Sequence, residues 1–167
     1  CLAEARQRNR TISFDVNYRA RLWSAEAARA ALLPLIRDVD LLICPLADAS
    51  QVFGIEGTPE ETAQGMGELT RAPLIALTLG AGGALLWDRE RFYRAEPFQV
   101  QAIDRVGAGD AFDAGLLWGY LRGNAAQGLT YGMAMAAIKH TMPGDEFISS
   151  LAEVETLLHS GHRDIQR

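Results

Sequence analysis

The residues best equipped for chemistry lie in one string, Asp104-Arg105-Val106-Gly107-Ala108-Gly109-Asp110-Ala111-Phe112-Asp113-Ala114-Gly115. Its first two glycines join an expected strand to an expected helix, where free backbone N–H groups converge. The first N–H groups of a helix lack internal partners and sit at the positive end of its dipole. Glycine lets such a turn form and lets an anion approach the backbone closely. Asp110 places a carboxylate beside this anion hole, where it would repel a bound phosphate. General-base catalysis accounts for it: Asp110 takes the proton of an alcohol while the N–H groups stabilise charge on a transferring phosphoryl group. A lone GxGD string reads more readily as an acidic helix start favoured by the dipole. Its surroundings decide between the two.

The elements that must hold this string follow from the rest of the chain. At 167 residues there is room for one domain with a real core. The 49% apolar and 22% charged composition is that of a soluble globular protein. A net charge of −5 supplies no basic field for nucleic acid or an anionic membrane. Cys1 and Cys44 make neither a disulfide framework nor a metal cluster, which suits a reducing cytoplasm. No apolar run nears the ~20 residues needed to span a bilayer, and no secretory signal opens the chain. A chain that begins at Cys1, in mid-helix, reads as part of a longer protein.

Residues 11–16 read as a short strand. Ser24 caps a helix with Ala27, Ala30, Ala31 and Leu35 as its apolar stripe. Leu41-Leu42-Ile43 reads as a buried strand, Pro45 opens a helix ending near Gly54, and Thr58-Pro59-Glu60-Glu61 starts another. Residues 73–79 form a continuous apolar run, the mark of a strand covered on both faces. Residues 80–83 turn into strands at 84–87 and 92–94, with a further strand expected at 98–103. Helices follow from Ala108 to about Leu121, from the cap Asn124 to about His140, and near residues 151–158. Strands alternating with helices, then a small meander, predict one α/β domain over residues 1–167. Its sheet is mostly parallel with an antiparallel edge.

The string Asp104-x-x-Gly107-Ala108-Gly109-Asp110-Ala111-Phe112-x-x-Gly115 closely resembles the C-terminal signature of PfkB-family (ribokinase-like) carbohydrate kinases. A second stretch, Phe14-Asp15-Val16-Asn17-Tyr18-Arg19 followed by Leu22-Trp23-Ser24, resembles a strand-end motif of the 2-keto-3-deoxygluconate kinase branch. Thr78-Leu79-Gly80-Ala81-Gly82-Gly83 is similar to the family's glycine turn against the nucleotide. Pro143-Gly144-Asp145 resembles a substrate-contacting Gly-Asp. The resemblance implies a three-layer α/β/α sandwich with Asp110 as catalytic base and Gly107, Ala108 and Gly109 as anion hole. It implies that Asn17, Thr78, Gly80, Gly82 and Gly83 border ATP, and that Arg19 and Asp145 orient the substrate. Arg19 offers a guanidinium fork suited to a carboxylate. Mg2+ is the implied cofactor, and Asp104 could help hold a monovalent cation such as K+.

Two departures stand out. The family's Asn-x-x-Glu motif corresponds here to Pro45-Leu46-Ala47-Asp48, which puts metal and phosphate handling through that stretch in doubt. The family's N-terminal half, with an early glycine pair and the strands that form a lid over the sugar, has no counterpart in these residues. Rival folds fail on sequence. A dinucleotide fingerprint needs glycine where Phe112 stands. A P-loop needs its lysine beside the glycines, yet the only lysine is Lys139, in a helix. His140, His159 and His162 show no metal spacing. The expected activity is ATP- and Mg2+-dependent phosphorylation of a sugar or sugar acid, foremost a 2-keto-3-deoxygluconate-like one. A neutral-sugar (ribose or fructose) kinase, a degenerate kinase and a non-catalytic nucleotide-binding fragment stay open, as does a homo-oligomeric parent. Without the lid, this chain alone is expected to be inactive.

Overall fold

The alternation of short apolar runs with capped helical stretches builds the same alternation of elements in a computed structural model, which describes residues 2–160. The elements run α1 (Leu2–Gln7), β1 (Ser13–Asp15), α2 (Ala25–Ile36), β2 (Leu41–Pro45), α3 (Leu46–Phe53), α4 (Pro59–Thr70) and β3 (Leu74–Thr78). They continue with β4 (Ala84–Trp87), β5 (Phe92–Ala95), α5 (Ala108–Tyr120), α6 (Ala125–His140) and α7 (Leu151–Ser160). The chain divides into two compact units. The first comprises residues 2–80 with Leu85–Tyr93, the second Ala81–Ala84 with residues 94–160.

The first unit carries the sheet. Its five strands follow sequence order, and β1, β2 and β3 run parallel, each joined to the next by helices as parallel strands require. The sheet is mixed and mostly parallel, with Asp88 N–H to Arg91 O closing the turn into β5. Leu41, Leu42, Ile43 and Cys44 of β2 are all buried, the pattern of a strand covered on both faces. Ser24 caps α2 through the Ala27 N–H, and Thr58 with Glu61 forms a reciprocal capping box on α4. The buried face of α2 is Ala28, Leu32 and Ile36, not the expected stripe of Ala27, Ala30, Ala31 and Leu35. Alanines lie all round this helix, so its two large residues at i and i+4, not its alanines, mark the core side.

The second unit is built on α5 and α6. Gly115 of α5 faces Gly132 of α6 so closely that a Cβ on Gly115 would lie 2.5 Å from the Gly132 nitrogen. One turn on, Gly119 and Gly128 approach in the same way. Tyr131, Ala134, Ile138 and Met142 meet Val154 and Leu157 of α7 in this unit's core. Trp118 stacks on Tyr131 with ring centroids 4.4 Å apart. Residues 98–103, expected as a strand, are irregular. Phe98 and Val100 do pack on the core, so their alternation is real. It reports one-sided burial rather than ladder pairing. The segment is anchored instead by the Ile103 and Asp104 N–H groups, which donate to His140 O at 2.7 and 3.2 Å.

Candidate active site

Parallel pairing aligns the carboxyl ends of β1, β2 and β3, with Asp15 opposite Ile43 and Pro45 opposite Thr78. Open α/β sheets bind ligands off this edge. Just past β1 the chain turns at Asn17, whose φ of 39° is a left-handed value that asparagine tolerates better than most residues. The Asn17 N–H donates to Asp15 Oδ1 at 3.2 Å. From the first turn of α3, Asp48 Oδ2 accepts the Tyr18 N–H at 3.0 Å. Burial pushes the Asp48 carboxyl above its ordinary value, against the pull of that bond. The Tyr18 hydroxyl donates to Trp23 O at 3.2 Å, and Trp23 packs against the first unit's core. Asp48, met in the sequence as a departure from a metal motif, thus fixes the turn that presents Asn17 and Arg19. Arg19 itself is exposed, as is Gly80 beyond half-buried Thr78.

In the second unit, Gly82 is exposed and Gly83 is buried at φ 83°, where a Cβ would collide with Ala95 O. Only glycine fits there. Gly107 is the N-cap of α5 at φ 78°, also left-handed. A Cβ on Gly107 would meet Asp145 O at 2.9 Å and Lys139 Cε at 3.1 Å. Unlike α2, α4 and α6, this helix has no side-chain cap. The Ala108 N–H turns back to Arg105 O at 3.3 Å. The amides of Gly109 and Asp110 belong to the turn that has no intrahelical acceptor. A Cβ on Gly109 would touch nothing within 4 Å, so the space beside Gly109 in the first turn is open. Asp110 is exposed in the first turn of α5.

Asp104 shapes this loop. Its Oδ1 accepts the Arg105 and Val106 N–H groups at 2.6 and 3.1 Å, and its Oδ2 accepts the Gly144 N–H at 3.0 Å. The sequence offered Asp104 as a cation ligand; the geometry makes it a clamp between the loop before α5 and the segment after α6. Asp145, exposed, presents its backbone oxygen to Gly107. Lys139, which sequence reasoning set aside as a helix lysine, is wholly buried beneath the same loop. One hint was in the sequence: a lone lysine directly after the apolar run Met133-Ala134-Met135-Ala136-Ala137-Ile138.

The bonds from Val106, then Gly144 and Arg105, hold the Asp104 carboxyl below the ordinary aspartate value of 3.8. A depressed carboxyl stabilises the fold fully above its unfolded pKa, and that stabilisation is lost as pH falls through the lower folded value. The midpoint at which the Val106 and Gly144 amide proton shifts titrate should therefore lie below 3.8. Their titration at or above 3.8 would show that the clamp is not formed.

The sequence model of the pfkB family of carbohydrate kinases matches residues 1–150. The chain belongs to that family. This pfkB-family chain is 32% identical over 167 residues to a 2-dehydro-3-deoxygalactonokinase of Haloferax volcanii, covering 99% of the chain and 52% of the relative. The crystal structure of a 2-dehydro-3-deoxygluconokinase from Thermotoga maritima superposes with a TM-score of 0.86 at 31% identity, over 95% of this chain and 53% of that one. A ribokinase II from Escherichia coli, in complex with ATP and Mg2+, superposes at 0.84 with 25% identity, over 95% and 52%. The fold is therefore that of the ribokinase-like kinases, and the chain spans about half the length of the relatives it matches. Among the described residues no helix is long and apolar enough to cross a membrane, and no group of three or more His, Cys, Asp or Glu could hold a metal.

Proposed function

We propose that the protein is an ATP-dependent kinase for a hydroxyl of a sugar or sugar acid, foremost a 2-keto-3-deoxygluconate-like acid. The observation that carries this reading is the start of α5, without a side-chain cap, open beside Gly109 and bearing Asp110 in its first turn. Two relatives named as kinases of 2-dehydro-3-deoxy sugar acids support the substrate class.

The open helix start fits the phosphates of a nucleotide, because backbone N–H groups and the dipole both favour an anion there. Mg2+ would come with those phosphates, since it binds few protein carboxylates and keeps much of its water. When bound it neutralises charge growing on the phosphoryl oxygens. Asp110 takes the proton of the sugar hydroxyl as that oxygen attacks the γ-phosphorus of ATP, whose bond to the β-phosphate oxygen breaks to release ADP. The Gly107, Gly109 and Asp110 amides hold the charge of the transferring group. Ala108 contributes less, because its N–H is partly engaged by Arg105 O. In the first unit, Arg19 pairs with the carboxylate of the acid, Asn17, Thr78 and Gly80 border the nucleotide, and Asp48 keeps the 17–19 turn in place. In the second unit, Gly82 and Gly83 serve the nucleotide and Asp145 the sugar. This chain alone binds nucleotide but transfers little, because transfer needs water excluded from both substrates.

The test is a kinase assay of the full-length protein on 2-keto-3-deoxygluconate, 2-keto-3-deoxygalactonate, ribose and fructose. The acids should be the better substrates. Replacing Arg19 by alanine should cut kcat/KM for the acids by about 10- to 100-fold, the worth of one charge-assisted hydrogen bond, and barely affect neutral sugars. Better turnover of ribose or fructose by the unaltered protein would reject the sugar-acid assignment.

A further inference from the structure

The one lysine of the chain, Lys139, ends α6 with 0% of its surface exposed. Burying an ammonium is costly unless charges and dipoles replace its water. Here Nζ donates to Met142 O at 3.2 Å and to Gly144 O at 2.7 Å. The carboxylate of Asp104, which accepts the Gly144 N–H, is held in its charged form by the loop amides first and by the Lys139 charge last. The side-chain stem passes under Gly107, the N-cap of α5. His140 beside it does not compete as the cation: burial, then the charges of Arg105 and Lys139, push its imidazole below the ordinary value.

Backbone carbonyls around a single positive charge, with a carboxylate nearby, are also what strips the hydration shell from an alkali ion. A lysine doing no more than filling space would be served by an apolar side chain of similar length, without the cost of a buried charge. The charge therefore needs an explanation, and its position supplies one. It lies where two backbone segments meet, the loop 104–107 and the segment 142–145, and it bonds one while passing beneath the other.

We infer that the Lys139 ammonium is a built-in monovalent cation that holds the 104–107 loop and the 142–145 segment in their anion-binding arrangement, so that the protein needs no K+ there. The cation expected beside Asp104 is on this account part of the chain. Lys139 is a positioning residue. What the loop binds rests on the kinase reading; where the ammonium sits does not.

Two readouts on the full-length protein test this at constant ionic strength in Na+, K+ and NH4+. Unaltered protein should show the same kcat/KM for ATP in all three, within about twofold. Lys139→Ala opens room for an ion and should lose at least tenfold in Na+, with K+ or NH4+ recovering most of the loss. Lys139→Met fills the space without charge and should stay low in every salt. Thermal midpoints give the second readout: K+ or NH4+ should raise that of Lys139→Ala and leave the unaltered protein unmoved. K+-dependent activity in the unaltered protein would overturn the inference even if no variant folded. So would a Lys139→Ala protein indifferent to the cation in both readouts. If nothing in the panel is phosphorylated but the K+-dependent midpoint of Lys139→Ala remains, the kinase reading falls and the built-in cation stands.

Discussion

Asp110→Asn in the full-length protein should lower kcat by about 10²–10⁴-fold, the contribution of a positioned general base. Asparagine keeps the size of the side chain and can still accept hydrogen bonds, but it cannot take up a proton. The substitution falls on an exposed position in the first turn of α5, so folding should be little changed, and a thermal midpoint near that of the unaltered protein is the control. The KM for ATP should stay put or fall, because a carboxylate beside the phosphates is removed while the Gly107 and Gly109 amides remain. That split separates a base from a residue that merely binds. Single-turnover measurement is the direct check, since it isolates the chemical step from product release. Near-normal turnover would remove Asp110 from the role and leave only an anion-binding helix start.

The largest stability effect is expected from Gly115→Leu. At that position a Cβ would sit 2.5 Å from the Gly132 nitrogen and 2.6 Å from its Cα, both backbone atoms that no rotamer change can move aside. Phe112 lies one turn before it on α5 with its carbonyl 2.7 Å from where a Gly132 Cβ would be, so the contact is tight in both directions. Overpacking of a well-filled core costs about 1–3 kcal/mol, and more where backbone must separate. A loss of at least about 3 kcal/mol is therefore expected, read as a drop in the urea midpoint. Gly115→Ala should fall between the two proteins. Because α5 and α6 are forced apart, loss of anion binding should accompany the loss of stability even though residue 115 lies far along the helix from Gly107. A Gly115→Leu protein as stable as the unaltered one would mean that the two helices are not in this contact.

Much of this was legible in the sequence where a local rule and the core agree. Thr58-Pro59-Glu60-Glu61 combines a cap, a proline and acids, and α4 begins there. Residues 74–78 are apolar without alternation, and β3 is buried accordingly. The start of α5 after Gly107 was readable because two glycines followed by an acid mark a turn into a helix. What escaped depended on contacts distant in sequence. The true face of α2 was hidden because alanines carry almost no directional signal. Residues 98–103 were expected as a strand, when Phe98 and Val100 pack on the second unit's core without regular strand structure. Asp48 looked like a damaged motif because its partner, the Tyr18 amide, lies 30 residues earlier. Lys139 looked ordinary because nothing in the sequence shows that Met142 and Gly144 fold their carbonyls back onto it.

The bare start of α5 also bears on how this protein could be made more robust. Ser, Thr, Asp or Asn at a helix cap contributes about 1 kcal/mol, and four other helices of this chain use one. Residue 107 cannot follow them. Its backbone is left-handed, and a Cβ would press on Asp145 O and Lys139 Cε. Any side chain reaching toward the Gly109 and Asp110 amides would also stand where the proposed phosphate would bind. On the proposed reading, stability is given up there in exchange for access, as is common where a site needs open polar groups. An engineer seeking a hardier protein would gain by working on α2, α4 and the exposed faces, and on the proposed reading would lose anion binding by mending the start of α5.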